Sequence, residues 1–206
     1  DVIVGIIDQG FDFTHPAFWD TTLTRYRIKR VWLMEDNSGN PPYGYNYGTE
    51  VVGEQNIRNL LYDFKDESHG THVAGIAAGG FSGSVTHIYK GIAPEAELIT
   101  ISTSGGKDNF IDGINYIFNY ARSVNKPAVV NLSWGSHIGP HDGTSLFDIA
   151  VDSLTGPGKI VVGSAGNEGD NPIHLTKDFT STDTLVYTFV EFSGETPNGK
   201  AIIDIW

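Results

Sequence analysis

The 206 residues carry 13 Lys and Arg against 25 Asp and Glu, a formal net charge of -12, and 39% of them are hydrophobic. A hydrophobic share of this size fits one sizeable folded core and excludes a disordered chain. The acidic balance argues against nucleic acid and anionic lipid as partners, the absence of cysteine excludes disulfides and thiolate catalysis, and no apolar run reaches the roughly 20 residues of a membrane span.

The elements follow in chain order. Asp1-Val2-Ile3-Val4-Gly5-Ile6-Ile7 is a continuous β-branched run, the pattern of a strand buried on both faces, and no signal-peptide pattern stands ahead of it. Residues 21–67, with Pro41-Pro42-Tyr43-Gly44-Tyr45, read as a surface insertion around one or two strands. His69 to Ala78 is small and apolar nearly all round, which predicts a central, buried helix. A strand is expected at 96–101, then a helix with Phe110, Ile114, Ile117 and Phe118 on one face. Another strand follows at 127–132, then a helix whose apolar face is Leu146, Ile149 and Ala150, then a strand at 159–163. Strands alternating with helices imply an α/β fold, a doubly wound parallel sheet with helices on both faces.

The tail breaks the alternation. Two strand-like runs, 184–192 and 201–206, are joined by the turn-rich stretch 193–200, which leaves no room for a crossover helix. The expected division is therefore an α/β domain over 1–177 and the start of an antiparallel β unit over 178–206. The last run is apolar up to Trp206, so the chain is expected to be an N-terminal piece of a longer protein.

In an open parallel sheet, ligands bind beyond the carboxyl ends of the strands. The segments that fall there are Asp8-Gln9-Gly10, Ser102-Thr103-Ser104-Gly105-Gly106, Ser133-Trp134-Gly135-Ser136 and Ser164-Ala165-Gly166-Asn167-Glu168-Gly169. The helix starting at His69 brings an imidazole to the same edge. A carboxylate that fixes an imidazole tautomer, the imidazole as general base, and an amide that donates to a developing oxyanion are three parts of an acyl-transfer site. The fourth part, a nucleophile, is missing from these turns.

Ser145-Leu146-Phe147-Asp148 reads as a helix N-cap with an acidic residue three positions on, an arrangement that stabilises a helix start by about 1 kcal/mol. His69 and His72 stand one helical turn apart, but the third ligand and the Glu base of a zinc motif are absent nearby, so no metal site is assigned. His72 is expected to be buried, with its ring nitrogens bonded locally. His15, His87, His137, His141 and His174 read as surface or loop residues, and Trp134 as a wall of the cleft.

Four blocks resemble the subtilases, the subtilisin-like serine proteases, and occur in that family's order. They are Val4-Gly5-Ile6-Ile7-Asp8-Gln9-Gly10 with Asp12 and His15-Pro16, Ser68-His69-Gly70-Thr71-His72-Val73-Ala74-Gly75, Val130-Asn131-Leu132-Ser133-Trp134-Gly135, and Ala165-Gly166-Asn167-Glu168-Gly169. The resemblance implies that Asp8 orients His69, that His69 is the base, and that Asn167 supplies the oxyanion donor. It also implies that Ser133-Trp134-Gly135 pairs with a substrate peptide as an added strand, with Ser102, Ser104 and Gly105 on its other side, and that Ala165 and Gly166 also bind substrate. Gly143-Thr144-Ser145 matches the family's nucleophile triplet in letters. In subtilases, however, that serine follows the oxyanion turn, whereas Ser145 precedes Asn167.

The family therefore implies a serine endopeptidase whose nucleophile lies outside this chain, with a polypeptide substrate and the remaining C-terminal part of the domain as partners. The tail resembles the β-sandwich insertion that some subtilases, the clostridial germination proteases among them, carry before the serine. The alternative is a peptide-binding pseudoprotease or scaffold. No cofactor is required. Calcium is a family habit for which Asp12 and Asp63 are candidates without a specific site, and an extracytoplasmic location is likewise only the family's habit. Gln9 departs from the small hydroxyl residue usual beside the aspartate.

Overall fold

The computed structural model describes residues 1–80, 82–84, 87–170, 175, 177–185 and 187. The elements before the long helices are β1 (Ile3–Asp8), a 3-10 turn (Pro16–Phe18), β2 (Ile28–Leu33), β3 (Thr49–Val52) and the short α1 (Glu54–Asn59). Next come α2 (His69–Ala78), β4 (Ser82–Ser84), β5 (His87–Tyr89), β6 (Glu97–Ser102), α3 (Lys107–Ser123), β7 (Ala128–Leu132), α4 (Leu146–Leu154) and β8 (Lys159–Gly163). Six strands form one sheet in the order β3-β2-β6-β1-β7-β8, and β4 and β5 pair as a hairpin. β2, β6, β1, β7 and β8 run parallel, and only β3 is antiparallel, at the edge beside β2. The α/β expectation holds. The strand-like runs expected at 184–192 and 201–206 fall largely or wholly outside the described residues.

Pleat alternation in β1 explains both core layers. Ile3 and Ile7 point to one face, where they join Ile114, Ile117 and Phe118 of α3. Val4 and Ile6 point to the other, where they join Ala74 and Ala78 of α2. Asp8 shares the parity of Val4 and Ile6, so its carboxylate emerges on the face that α2 covers. Sequence parity thus determines which helix the acid meets.

Residues 21–67 hold two strands, as expected, but they are not a surface insertion. β2 lies inside the sheet, between β3 and β6. Its Trp32 is fully buried and packs on Tyr45, Tyr47 and Tyr116, with ring centroids 4.6, 5.2 and 5.4 Å away. The tyrosines of the Pro-rich stretch are also tied to α3, since the Tyr45 hydroxyl donates to the Asp112 carbonyl and the Tyr47 hydroxyl to its carboxylate. Arg27 is buried as well. Its guanidinium donates to the carbonyls of Trp19, Ala96 and Ala17, and burial brings its pKa down to about 10.

Two helix faces also differ from expectation. α2 is buried on one side only, through Gly70, Ala74 and Ala78, while Ile76 is 58% exposed. In α4 the inward stripe is Phe147, Val151 and Leu154, and Leu146 and Ile149 face outward. The i, i+4, i+7 spacing of that inward stripe competes with the expected face, and Phe147 decides between them by packing against Phe110 at 6.4 Å.

Candidate active site

The start of α2 is docked onto the turn that leaves β1. Its first amides lack partners within the helix. Gly70 N–H donates to the Gln9 carbonyl at 2.6 Å and Thr71 N–H to the Gly10 carbonyl at 3.0 Å. The Thr71 hydroxyl also donates to the Gly10 carbonyl and accepts from Asp12 N–H. Two glycines make this approach possible. A Cβ on Gly70 would sit 2.9 Å from the Gln9 carbonyl oxygen, and Gly10, at φ +81°, would drive a Cβ to 2.6 Å from Ser68 N.

This docking holds His69 over Asp8, with Nδ1 2.7 Å from the carboxylate Oδ1. A carboxylate only accepts, so the shared proton belongs to Nδ1 and the Nε2 lone pair faces outward. The pair is asymmetric, because the Asp8 side chain is 1% exposed and that of His69 is 53% exposed. Burial raises the Asp8 pKa above its ordinary value. The hydrogen bonds from His69 and Gln9 N–H pull it back, and the charge of Asp63 pushes it up again.

His69 opens into a cavity of about 880 Å³ whose walls include Ser133, Gly135, Ala165, Gly166 and Asn167. The expected turns after β7 and β8 therefore meet at the imidazole. Asn167 N–H donates to Glu168 Oε2 at 2.9 Å, and that oxygen stands 3.0 Å from His137 Nε2. These two donors hold the Glu168 carboxyl below the usual range. His137 and His141 are exposed loop residues, as expected, and both also line this cavity. His15 caps the 3-10 turn through Nδ1. The His87 side chain and His174 lie outside the described residues.

A neighbouring cavity of about 680 Å³ is lined by Ser104, Gly105, Phe110, Trp134, Phe147 and Ser145, among others. Trp134 walls this cavity as expected, and it also packs at 5.7 Å on Phe110 at the edge of the core. Ser102 does not belong to the cleft. It is 2% exposed, and its hydroxyl donates to Asp63 at 2.6 Å.

Ser145 caps α4 as expected. Its hydroxyl accepts from Asp148 N–H and stands 2.6 Å from the Asp148 carboxylate, to which it donates. His72 is exposed rather than buried, because it lies on the side of α2 opposite Gly70, Ala74 and Ala78. Asp63, a candidate for calcium through the family resemblance, already accepts four internal hydrogen bonds. Among the described residues, no cluster of three or more His, Asp or Glu is placed to hold a metal.

The subtilase family model matches residues 1–188. The chain belongs to the subtilase family. It is 38% identical over 177 residues to the major intracellular serine protease of Bacillus subtilis, an alignment covering 82% of this chain and 44% of that protein. It is 30% identical over 185 residues to the PII-type proteinase of Lacticaseibacillus paracasei, covering 81% of this chain and 9% of that protein. Among solved structures it is similar to the CspB protease of Clostridium perfringens, with a TM-score of 0.65 and 26% identity over 82% of this chain and 37% of that one. The chain thus spans less than half the length of each of these proteins.

Similar subtilases include one named as intracellular, so membership of the family fixes no compartment. No helix among the described residues is long and apolar enough to cross a membrane. Gln9 offers its backbone N–H to Asp8 Oδ1, while Asp8 Oδ2 is buried without a hydrogen-bond partner among the described residues.

Proposed function

We propose that this chain supplies the acid, base and oxyanion donor of a subtilase endopeptidase that hydrolyses peptide bonds through an acyl-enzyme. The reading rests on the 2.7 Å contact between His69 Nδ1 and Asp8, with Asn167 on the same cavity wall. In it, His69 Nε2 takes the proton from a serine hydroxyl as that oxygen attacks the substrate carbonyl, then returns it to the leaving amine. Asp8 fixes the ring and stabilises its charged form. The Asn167 amide donates to the oxyanion, and the substrate backbone pairs along residues 133–135.

The nucleophile belongs to a segment outside these 206 residues. The serines around the cavity support this. The Ser133 hydroxyl accepts from the Asn131 amide, that of Ser136 accepts from Ile138 N–H, and that of Ser164 donates to the Trp134 carbonyl. Among the described residues, none of these serines is hydrogen-bonded to His69.

The 206-residue chain alone is expected to resist labelling by a fluorophosphonate probe and to release no peptide from casein, whereas the parent protein does both. Covalent labelling of the chain alone would sink the missing-nucleophile reading. A parent protein that binds peptide but never reacts would instead favour a pseudoprotease. In the active parent, Asn167→Ala is expected to lower kcat about 100- to 1,000-fold with little change in KM, the scale for one oxyanion donor in an enzyme of this family. Steady-state kinetics on a peptide substrate reads both constants.

A further inference from the structure

The carboxylate of Asp63 lies outside the proposed chemistry, yet it converges on the same turn. Oδ1 accepts from Phe11 N–H at 2.6 Å and from Phe64 N–H at 2.7 Å. Oδ2 accepts from Gly10 N–H at 3.2 Å and from the Ser102 hydroxyl at 2.6 Å. Ser102 is the residue opposite Asp8 in the β1–β6 register. A single side chain therefore ties the turn after β1 to the end of β6, at the level of the buried acid.

That turn is also the platform on which α2 starts, through the Gln9 and Gly10 carbonyls that accept from Gly70 and Thr71. We propose that Asp63 is a positioning residue that sets the Asp8–His69 contact by fixing the turn between them. This rests on the reading of Asp8 and His69 as acid and base. A loop staple with no such role would use the two bonds within its own segment and the neighbouring strand. Asp63 instead grips both backbone amides next to the platform carbonyls, Gly10 N–H and Phe11 N–H. It also brings a second negative charge towards Asp8, which acts with burial to raise the Asp8 carboxyl.

The chemistry of the carboxylate makes the role separable from folding. Asp63→Asn keeps the size and one accepting oxygen but replaces the other oxygen with a donor. That donor faces Gly10 N–H, so one amide of the turn is left without an acceptor. Ser102→Ala keeps the carboxylate and removes one donor from it.

The test follows the His69 Nδ1–H proton by NMR in the 206-residue chain labelled with nitrogen-15 histidine. His69→Gln identifies the resonance, and thermal melting checks the fold. Wild type is expected to show a strongly downfield Nδ1–H signal that Asp8→Ala abolishes. Asp63→Asn is expected to move that signal upfield or broaden it beyond detection while cooperative melting is kept, and Ser102→Ala to move it less in the same direction. In the active parent, Asp63→Asn is expected to lower kcat about 10- to 100-fold with KM nearly unchanged, the scale of a small misplacement of reacting groups.

A folded Asp63→Asn variant whose signal stays at the wild-type position overturns the proposal. If Asp63→Asn does not fold, an unmoved signal in Ser102→Ala overturns it. A wild-type chain with no downfield signal, or one that Asp8→Ala leaves in place, overturns instead the underlying pairing of Asp8 with His69.

Discussion

Replacing His69 by Ala in the proposed parent protease is expected to lower kcat about 10⁴- to 10⁶-fold, the range for removal of a member of a serine-protease triad. The size of the effect follows from the geometry. His69 is the imidazole hydrogen-bonded to the buried Asp8, and it opens into the same cavity as Asn167. His137 and His141 line that cavity too, but the Asp8 carboxylate is bonded to His69, and His137 is engaged by Glu168. KM is expected to change little, since the walls at 133–135 and 165–166 are untouched. Residual activity above the uncatalysed rate comes from the oxyanion donor and substrate binding. Single-turnover kinetics with a chromogenic peptide checks it, and a loss below about tenfold would remove His69 from the role of base.

Asp8→Asn is expected to lower kcat about 10⁴-fold, through the tautomer rather than through displacement of the ring. The carboxylate accepts from Nδ1–H, which leaves the Nε2 lone pair for the proton of the nucleophile. An amide NH₂ in its place donates to Nδ1, moves the proton to Nε2 and removes the base from the side that faces the cavity.

The same substitution has a signature in stability. Burial raises the folded-state pKa of Asp8 above its ordinary value of 3.8. The favourable contribution of its protonated form is therefore complete below 3.8 and is lost as pH rises through the folded value. A neutral amide at this position has no such loss. The stability of the Asp8→Asn variant relative to wild type is expected to increase with pH across that window, as urea unfolding at a series of pH values reads out. A difference independent of pH would show that Asp8 is not titrating in a buried site.

The features legible in the sequence are those encoded by neighbours. The unbroken apolar run of β1 and the pleat parity that brings Asp8 to the face of α2 are local patterns, and so are the helix cap at Ser145 and the blocks around His69 and Asn167. What escapes a reading of the sequence depends on distant partners. Nothing near Arg27 in the chain announces that the carbonyls of Ala17, Trp19 and Ala96 surround it. Tyr45 and Tyr47 sit in a Pro- and Gly-rich stretch, and only the fold shows that they close over Trp32 and reach Asp112. β2 is obscured by Lys29 and Arg30, whose charges reach Glu97 and Glu50 at the margins of a buried strand. Asp63 is visible in the sequence only as one acid among many, since its four donors come from three separate segments of the chain.

The docking of α2 on the β1 turn has one more consequence, for how the pair can be monitored. The amides of Gly70 and Thr71 bond to the carbonyls of Gln9 and Gly10, far back in the chain, not to their own helix. Fraying of α2 by itself does not release them, and solvent reaches those protons only when the helix start lifts away from the strand. That same movement separates His69 from Asp8. The rate at which these two amides take up deuterium is therefore a direct clock for how often the acid and the base part company.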